Sequence, residues 1–238
     1  MTDIYLTESI ILRDNKLYNE DKLIKNHNWH RVLNDYGWEK ISKQWIRKLN
    51  KYSLQKHKQN SLFGILDCGG DGDCFFNCIN NALKSKHIYD IEDYNLRELI
   101  SNSINKEKFD EIINIYKILK DSDDFDEDWD PYVITIDEFK EKIKEGGNEY
   151  WCDHILLNIL YEILNINIII LNNNEFMNEY YYYPLFHDYN ETKETIILLY
   201  ENNIHFKLIG HFNNHNMITL FTKETLPIEI LRLINNRE

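Results

Sequence analysis

A glycine-rich loop that runs directly into an apolar helix is the strongest structural constraint in this chain of 238 residues. Three of its eight glycines lie between positions 69 and 72. Glycine permits positive φ angles and close backbone approach, so this stretch is expected to form a tight loop. Apolar residues then recur at helical spacing from Phe75 to Leu83. Cys74 therefore stands where the loop becomes a helix.

Two interpretations of Cys74 are open at this point. The free N–H groups and the dipole at a helix N-terminus favour a negative charge, which lowers the pKa of a thiol from about 8.5 to about 3.5–7.5. The N–H groups of a glycine loop can also hold a developing oxyanion. A reactive nucleophile fits this stretch, and so does a buried structural cysteine in a helix cap.

The composition favours a partner protein over a nucleic acid. Hydrophobic residues make up 43% of the chain, enough for the core of one large domain with appendages. The net charge is −13, whereas binding to phosphate groups needs a basic surface. An acidic surface instead suits a protein or peptide with a basic face.

The chain is expected to be intracellular and not to bind a membrane. It has no run of about 18 apolar residues, as a membrane span requires. Its first five residues do not begin a basic region followed by an apolar run, so no secretory signal is predicted. We therefore expect the four cysteines to be reduced in the cytoplasm: Cys68, Cys74, Cys78 and Cys152.

The hydrophobic periodicity places helices before strands, which indicates an α+β fold. Predicted helices cover residues 39–56, 74–86, 93–104, 107–119, 137–144 and 151–164, with Leu96, Leu99 and Ile100 facing inward. Predicted strands cover residues 166–171, 180–183, 195–200, 205–209 and 217–221. We expect a helical N-terminal extension over residues 1–58, a principal domain over 59–223, and a tail or short helix over 224–238.

The segment 121–130 holds seven acidic residues in ten positions. Such a block is typical of a solvated loop. The alternative is that Phe125 and Trp129 anchor a docking surface for a basic partner. The acids do not follow the calcium-loop pattern, and the cysteines include no pair separated by two residues. No metal and no cofactor is therefore predicted.

A cysteine nucleophile needs a histidine base within hydrogen-bonding reach and a group that orients that base. Most of the nine histidines lie in polar stretches or loops, and His154 lies in a predicted helix. His205 and His211 flank the predicted strand 205–209. His205 enters this strand straight after a turn, at the rim of a sheet. It is the leading candidate base on position, with the other histidines as alternatives.

Four landmarks in this order resemble the ovarian tumour (OTU) family of cysteine proteases, which are largely deubiquitinases. Residues 71–76 (DGDCFF) resemble the nucleophile signature D-G-x-C-[LF]-[FY], and residues 96–100 (LRELI) resemble the "LR..I" helix. Residues 148–153 (NEYWCD) are similar to the "eWG" motif, with Cys152 in place of the usual glycine. The strand 195–200 and the following His205-Phe206 resemble the segment that carries the family's base. The stretches 61–66 and 205–210 look most like OTU-like proteins of large DNA viruses.

The resemblance implies an OTU-like fold, in which a central, mainly antiparallel sheet is flanked by helices. It implies cleavage of the isopeptide bond after the C-terminal glycines of ubiquitin or a ubiquitin-like protein. It also implies Cys74 as the nucleophile, His205 as the base and Trp151 as a wall of the substrate cleft. For a viral member of the family, the location is the host cytoplasm or the virion.

Asp71 is usually counted with the active site in this family. The resemblance assigns the oxyanion hole to the backbone N–H groups of the loop: Asp71, Gly72, Asp73 and Cys74.

Lys207 departs from the family pattern. Most members have Asn or Asp two residues after the histidine, and this residue orients the imidazole. An ammonium group cannot accept the imidazole N–H, and its charge disfavours the imidazolium. The orienting group is therefore expected elsewhere: Asp71, Asn203 on the same strand face, or an upstream acid such as Asp67. Without one, the chain is expected to be a catalytically weak or inactive module that binds ubiquitin or another partner.

Overall fold

The computed structural model of the protein describes residues 3–54, 61–70, 72–84, 95–125, 128–147, 154–174, 176–184 and 188–235. These residues fall into two compact units. The first unit contains residues 1–68, 77–91 and 166–238, and the second contains 69–76 and 92–165. The predicted site residues Asp71 and Trp151 lie outside the described residues.

Helices and strands do not alternate regularly along the chain, which is typical of the α+β class. The helices are α1 (Trp29–Val32), α2 (Lys43–Asn50), α3 (Cys74–Lys84), α4 (Leu96–Ser103), α5 (Lys106–Asp121), α6 (Ile136–Lys144), α7 (His154–Leu164) and α8 (Ile228–Asn235). The strands are β1 (Ile4–Tyr5), β2 (Ile10–Arg13), β3 (Lys16–Asn19), β4 (Lys22–Leu23), β5 (Trp38–Lys40), β6 (Phe63–Leu66), β7 (Asn167–Asn173), β8 (Tyr182–Pro184), β9 (Thr195–Glu201), β10 (His205–Asn213), β11 (Asn216–Ile218) and β12 (Leu220–Phe221).

The main sheet of the first unit has the strand order β5-β6-β10-β9-β7-β8. Along this path, and among the described residues, only the pairing of β7 with β9 is parallel. β7 is buried along its whole length, as expected for an apolar strand inside a sheet that is covered on both faces. The predicted α+β class with a mainly antiparallel sheet is confirmed.

Helices α2 and α8 pack against side chains that share one face of this sheet. Trp45 and Leu49 of α2 join Ile230 and Leu233 of α8 in an apolar cluster with residues of β6, β7, β9 and β10. The indole N–H of Trp45 also donates to the Asn172 carbonyl at 3.0 Å, which ties α2 to β7. Burial of a Leu or Ile side chain contributes about 1.5–3 kcal/mol, so this cluster is a main source of stability for the sheet.

Two tryptophan rings pack against the paired strands β6 and β10. Gly64 and Gly210 lie directly opposite each other in the two strands. A Cβ atom on Gly210 would lie 2.6 Å from the ring of Trp38, and one on Gly64 would lie 3.0 Å from the ring of Trp29. Larger residues would therefore force the indoles away from the strand pair that leads to the candidate base.

The prediction of a helical N-terminal extension is wrong for residues 4–23. They form a separate antiparallel sheet in the order β1-β2-β3-β4. Asp14 and Asn15 join β2 to β3 with φ angles of 49° and 61°, the conformation of a two-residue hairpin turn. Asp and Asn tolerate this conformation better than most residues, so this pair was the overlooked local signal. The predicted domain boundaries at residues 58 and 223 stay predictions.

In the second unit, α4 contacts both α6 and α7. Phe125 and Trp129 of the acidic segment join an aromatic cluster there, with ring centroids 4.9 Å apart. The centroid of Tyr116 on α5 lies 5.6 Å from that of Phe125 and 5.1 Å from that of Trp129. The two rings therefore pack against the helices, which is the opposite of what the docking interpretation required. No helix among the described residues is long and apolar enough to cross a membrane.

Candidate active site

The predicted base, His205, is paired with one of its predicted orienting residues. Its Nε2 atom lies 3.1 Å from Oδ1 of Asp67. The histidine side chain is 23% exposed and that of Asp67 is 57% exposed, so the pair sits at the protein surface. Asp67 is the upstream acid that the sequence offered as an alternative to the missing residue at position 207.

The strand register explains how Asp67 reaches the ring. Leu66 at the end of β6 lies opposite Leu208 of β10 in an antiparallel pair. One further step along both strands brings Asp67 opposite Lys207, and His205 is then its diagonal neighbour. Diagonal neighbours across strands are within reach of long and aromatic side chains.

This contact also defines the tautomer of His205. A carboxylate can only accept, so Nε2 carries the hydrogen that points to Asp67. In the neutral ring Nδ1 is then the acceptor. Nδ1 is therefore the atom that can take a proton from a nucleophile.

Lys207 is paired with an acid of the neighbouring strand. Its Nζ atom forms an ion pair with Glu201 at 2.7 Å, and the two side chains are 19% and 28% exposed. Glu201 lies directly opposite His205 in the hairpin of β9 and β10. The positive charge of Lys207 is thus balanced within this hairpin.

Asn203, the other described candidate for an orienting residue, lies in the turn between β9 and β10. Its φ angle is 61°, and its backbone carbonyl accepts a hydrogen bond from the Tyr200 hydroxyl at 2.6 Å. Within the part of the chain that the structure describes, no hydrogen bond joins the Asn203 side chain to His205.

In the second unit, the predicted nucleophile Cys74 is the first residue of α3 and is partly exposed. The loop before it turns tightly, with φ angles of 103° at Gly69 and 85° at Gly72. The N–H of Asp73 donates to the Gly70 carbonyl at 3.3 Å and closes the turn. The Asp73 N–H, one of the four predicted oxyanion donors, is therefore already hydrogen-bonded inside the loop.

Arg97 of α4 holds the side chain of Asp73. Nε and Nη2 of Arg97 donate to Oδ1 of Asp73 at 2.8 and 2.6 Å. The backbone N–H of Gly147 donates to Oδ2 at 2.9 Å. Hydrogen bonds between two ionised groups are about twice as strong as neutral ones, so this arrangement fixes the residue that precedes Cys74.

Arg97 is itself fixed by buried contacts. Its side chain is 7% exposed, and Nη1 donates to the Ile143 carbonyl at the end of α6 at 3.2 Å. The guanidinium carbon lies 4.7 Å from the centroid of the Phe76 ring, a cation–π distance. A charge this buried is stable only when it is paired and hydrogen-bonded, so the guanidinium and the loop stabilise each other.

Sequence reasoning missed the role of Arg97 because it predicted Leu96, Leu99 and Ile100 as the inward face of α4. Leu96 and Ile100 are buried, but Leu99 is 36% exposed and Arg97 takes the buried place. The sequence signal was an arginine between the apolar positions of a predicted helix. An aspartate elsewhere in the chain, Asp73, could pair with it. Gly147 contributes through its backbone, with a φ angle of 71° and an N–H that donates to Asp73.

Among the described residues, no group of three or more His, Cys, Asp or Glu side chains could hold a metal ion. Cys68, Cys74 and Cys78 are not in disulfides.

A model of the family described as OTU-like cysteine protease matches residues 69–212, more than half of the chain. The chain belongs to this family. The OTU match contains Cys74, Arg97 and His205 and begins two residues after Asp67. The predicted family and fold are confirmed, while the resemblance to proteins of large DNA viruses stays a prediction. No curated protein matches the chain.

Solved OTU structures are also similar to the chain. The OTU domain of OTUD1 is 14% identical with a TM-score of 0.43, and the match covers 69% of this chain and 93% of that one. An OTU domain in complex with ubiquitin is 16% identical with a TM-score of 0.42, covering 73% and 86%. A viral OTU domain protease from Qalyub virus is 17% identical with a TM-score of 0.38, covering 62% and 83%. The family assignment rests on the sequence match.

Proposed function

We propose that this OTU-family protein is a deubiquitinating cysteine protease. It hydrolyses the peptide or isopeptide bond after the C-terminal glycine of ubiquitin or a ubiquitin-like protein. The observation that carries the proposal is the hydrogen bond between Asp67 and His205, at 3.1 Å. It supplies the base with an orienting acid, which the usual family position, Lys207, does not.

The first step is attack by the Cys74 thiolate on the carbonyl carbon of the terminal glycine. The thiol proton goes to Nδ1 of His205, and the carboxylate of Asp67 stabilises the resulting imidazolium through Nε2. The carbonyl oxygen becomes an oxyanion and accepts hydrogen bonds from loop N–H groups, among which those of Gly72 and Cys74 are candidates.

The second step breaks the bond between the glycine carbon and the lysine nitrogen. The imidazolium of His205 protonates the leaving amine, and a thioester remains on Cys74. Water then attacks the thioester with His205 as the base, and ubiquitin leaves with a free carboxylate. The roles of Asp71 beside the nucleophile and of Trp151 at the substrate cleft stay predictions from the family resemblance.

The loop anchored by Arg97 supports the oxyanion step. Donors stabilise an oxyanion strongly when they are already oriented and do not have to reorganise during the reaction. Asp73 precedes Cys74, and its carboxylate accepts hydrogen bonds from Arg97 and Gly147. This restraint limits the movement of the loop backbone.

We also propose that the protein works where ubiquitin conjugates are found, in the cytoplasm or, for a viral protein, in the host cytoplasm or the virion. Cell fractionation with detection of the full-length chain tests this location. Recovery of the chain only from the secreted medium would contradict it.

The decisive test uses ubiquitin that carries an electrophile at its C-terminus. We expect one covalent ubiquitin adduct, mapped by mass spectrometry to Cys74. Cys74→Ala should abolish the adduct. Cys78→Ser, on the same helix but one turn further along, is the matched control and should leave adduct formation intact.

The same experiment separates the alternative functions. If the protein unfolds cooperatively, and is therefore folded, but forms no adduct, the proposed protease activity is wrong. Binding of ubiquitin without an adduct, unchanged in Cys74→Ala, would identify an inactive binding module instead. Cleavage of unrelated peptides without reaction with ubiquitin would identify a peptidase with another substrate.

A further inference from the structure

Two cysteines that the proposed reaction does not use lie together beside the base. Cys68 follows Asp67 directly in the chain, and Cys78 lies on α3. A side-chain hydrogen bond with Cys78 is the largest influence that lowers the pKa of Cys68, and neither thiol is in a disulfide. Both residues belong to the first compact unit, as do Asp67 and His205.

The backbone geometry accounts for this proximity. Leu66, the last residue of β6, lies opposite Leu208 of β10, and Cys68 follows two residues after the end of this antiparallel pair. The Cys78 sulfur lies 3.5 Å from the carbonyl oxygen of Phe206, and the Cys68 sulfur lies 3.7 Å from the carbonyl oxygen of Leu66. The Cys78 sulfur therefore lies at Phe206, the residue after His205, and the Cys68 sulfur lies at the facing end of β6.

The two thiols differ in access and acidity. Cys68 is partly exposed, whereas Cys78 is fully buried, with an exposed fraction of 0%. The Cys78 thiol, and to a smaller extent the Leu208 N–H, lower the pKa of Cys68, against the opposing effects of burial and the nearby Asp67 carboxylate. An accessible thiol with a lowered pKa and a neighbouring resolving thiol is the pattern of a redox-sensitive cysteine pair.

We propose that Cys68 and Cys78 are a peroxide-sensitive modification site that closes into a reversible disulfide and displaces Asp67 from His205. The Cys68 thiolate attacks one oxygen of hydrogen peroxide, the O–O bond breaks, and the departing hydroxide takes a proton to form water. The sulfur is left as a sulfenic acid. The Cys78 sulfur then attacks it, the S–O bond breaks, and the oxygen leaves as a second water with the Cys78 proton. The two cysteines lose two electrons, and a small thiol reductant returns them.

The displacement follows from the length of the new bond. Sulfur atoms in a disulfide are about 2.05 Å apart, closer than any hydrogen-bonded thiols. Cys78 is held in a helix, whereas Cys68 lies in irregular chain past the end of β6. Cys68 therefore makes most of the movement and carries Asp67 with it. The disulfide rests on the geometry of the thiols alone, and its effect on catalysis rests on the proposed function.

The test uses the full chain with Cys74→Ser and Cys152→Ser, which leaves Cys68 and Cys78 as its two cysteines. After treatment with hydrogen peroxide and alkylation, the protein is cut before aspartate residues. Asp71 and Asp73 lie between the two cysteines, so a disulfide joins two separate peptides. We expect a linked pair that is lighter by two hydrogen atoms than the sum of its parts and that separates on reduction.

The matched control adds Cys78→Ser to the same protein. We expect it to lose the linked pair and to accumulate Cys68 sulfenic acid, trapped by a dimedone-type reagent. Two results would overturn the modification site. The first is that both thiols still react with the alkylating reagent after peroxide treatment. The second is that Cys68 is over-oxidised to the same extent in both proteins.

A second measurement tests the switch separately from the disulfide. The ring proton signals of His205 are followed by NMR in the protein that retains only Cys68 and Cys78, with His205→Gln used for assignment. We expect the signals to shift when the disulfide forms, to return on reduction, and to stay unmoved by peroxide in the Cys78→Ser control. A disulfide that forms without moving these signals overturns the switch. Because Cys74 is absent, neither result depends on protease activity.

Discussion

The nucleophile loop and the base each depend on a carboxylate, but the two carboxylates work in different surroundings. Asp73 in the loop is bound twice by Arg97, whose side chain is 7% exposed, and once by a backbone N–H. Asp67 at the base is 57% exposed and contacts His205 at 3.1 Å. The loop is thus held by a buried network and the base by a surface contact.

The difference matches the chemical roles of the nucleophile loop and of the base. An oxyanion hole works because its donors stay in place while charge develops, which favours a rigid loop. A general base has to gain and lose a proton in each cycle and protonate a leaving group. An exposed carboxylate supports both states of the ring, and its contact is weak enough to be broken by a shift of a neighbouring residue such as Cys68.

Removal of the buried guanidinium of Arg97 should have the largest effect on stability. Arg97→Ala leaves Asp73 without its partner and opens a cavity beside Phe76. Because breaking a buried pair from one side costs about 3–5 kcal/mol and Asp73 is 31% exposed, we expect a loss of about 3 kcal/mol in the free energy of unfolding. Urea denaturation measures this loss, and reaction with the ubiquitin electrophile should fall with it.

Arg13 provides the matched control for that variant. It also binds an aspartate, Asp3, through two hydrogen bonds of 2.8 and 2.6 Å, but its side chain is 35% exposed. Arg13→Ala should therefore destabilise the protein much less than Arg97→Ala and leave the reaction rate unchanged. Equal losses in the two variants would contradict the contrast between buried and exposed carboxylates.

The next largest effect is expected at the base. Asp67→Ala should lower kcat/KM for a fluorescent ubiquitin amide by about 100-fold, less than the about 10⁴-fold loss seen when the orienting acid of a serine protease triad is changed. The loss is smaller because Asp67 is 57% exposed, so water can partly replace it. Stability should change little. Asp67→Asn, which keeps an acceptor for Nε2, should lose less, and an unchanged rate in Asp67→Ala would exclude Asp67 as the orienting residue.

Lys207 offers a way to move the orienting group. In the Asp67→Ala background, Lys207→Asn places an acceptor two residues after His205, where most family members have it. We expect kcat/KM to recover by about fivefold, the equivalent of one net hydrogen bond of ~1 kcal/mol. Lys207→Gln in the same background is the control with a longer side chain. Recovery in neither variant would mean that this strand position does not reach the ring here.

The smallest effect is expected from a helix cap in the same unit as the nucleophile loop. Thr135 caps α6 in a capping box with Glu138, and Thr135→Ala should cost about 1 kcal/mol of stability without changing kcat/KM. If kcat/KM falls in Thr135→Ala, activity depends on the stability of the whole second unit and not on the hydrogen bonds that hold the nucleophile loop.

The cap also has a defined pH dependence. Hydrogen bonds from the Thr135 backbone and hydroxyl hold the pKa of Glu138 below its ordinary value. Their contribution is present above the ordinary pKa of glutamate and is lost as the pH falls through the lowered pKa. The difference in thermal stability between the wild type and Thr135→Ala should therefore narrow in acid.

Local sequence predicted most elements of the catalytic region but failed at the N-terminus. The apolar runs at β7 and β9 and the helical periods of α3, α5 and α7 are strong patterns that packing reinforces. Residues 4–23 form strands of only two to four residues, so the turn at Asp14 and Asn15 decides their structure more than any periodicity does. A two-residue turn of this kind leaves no trace in the hydrophobic periodicity.

The sequence by itself determined that Cys74 begins a helix after a tight loop and that His205 begins a strand after a turn, because both follow from local backbone preferences. Tertiary structure decided which side chains support them. Asp67 meets His205 through the register of β6 and β10, which are separated by more than a hundred residues. Arg97 meets Asp73 because α4 turns a charged side chain inward. Such partners depend on strand register and helix rotation, and those are settled only when the whole core packs.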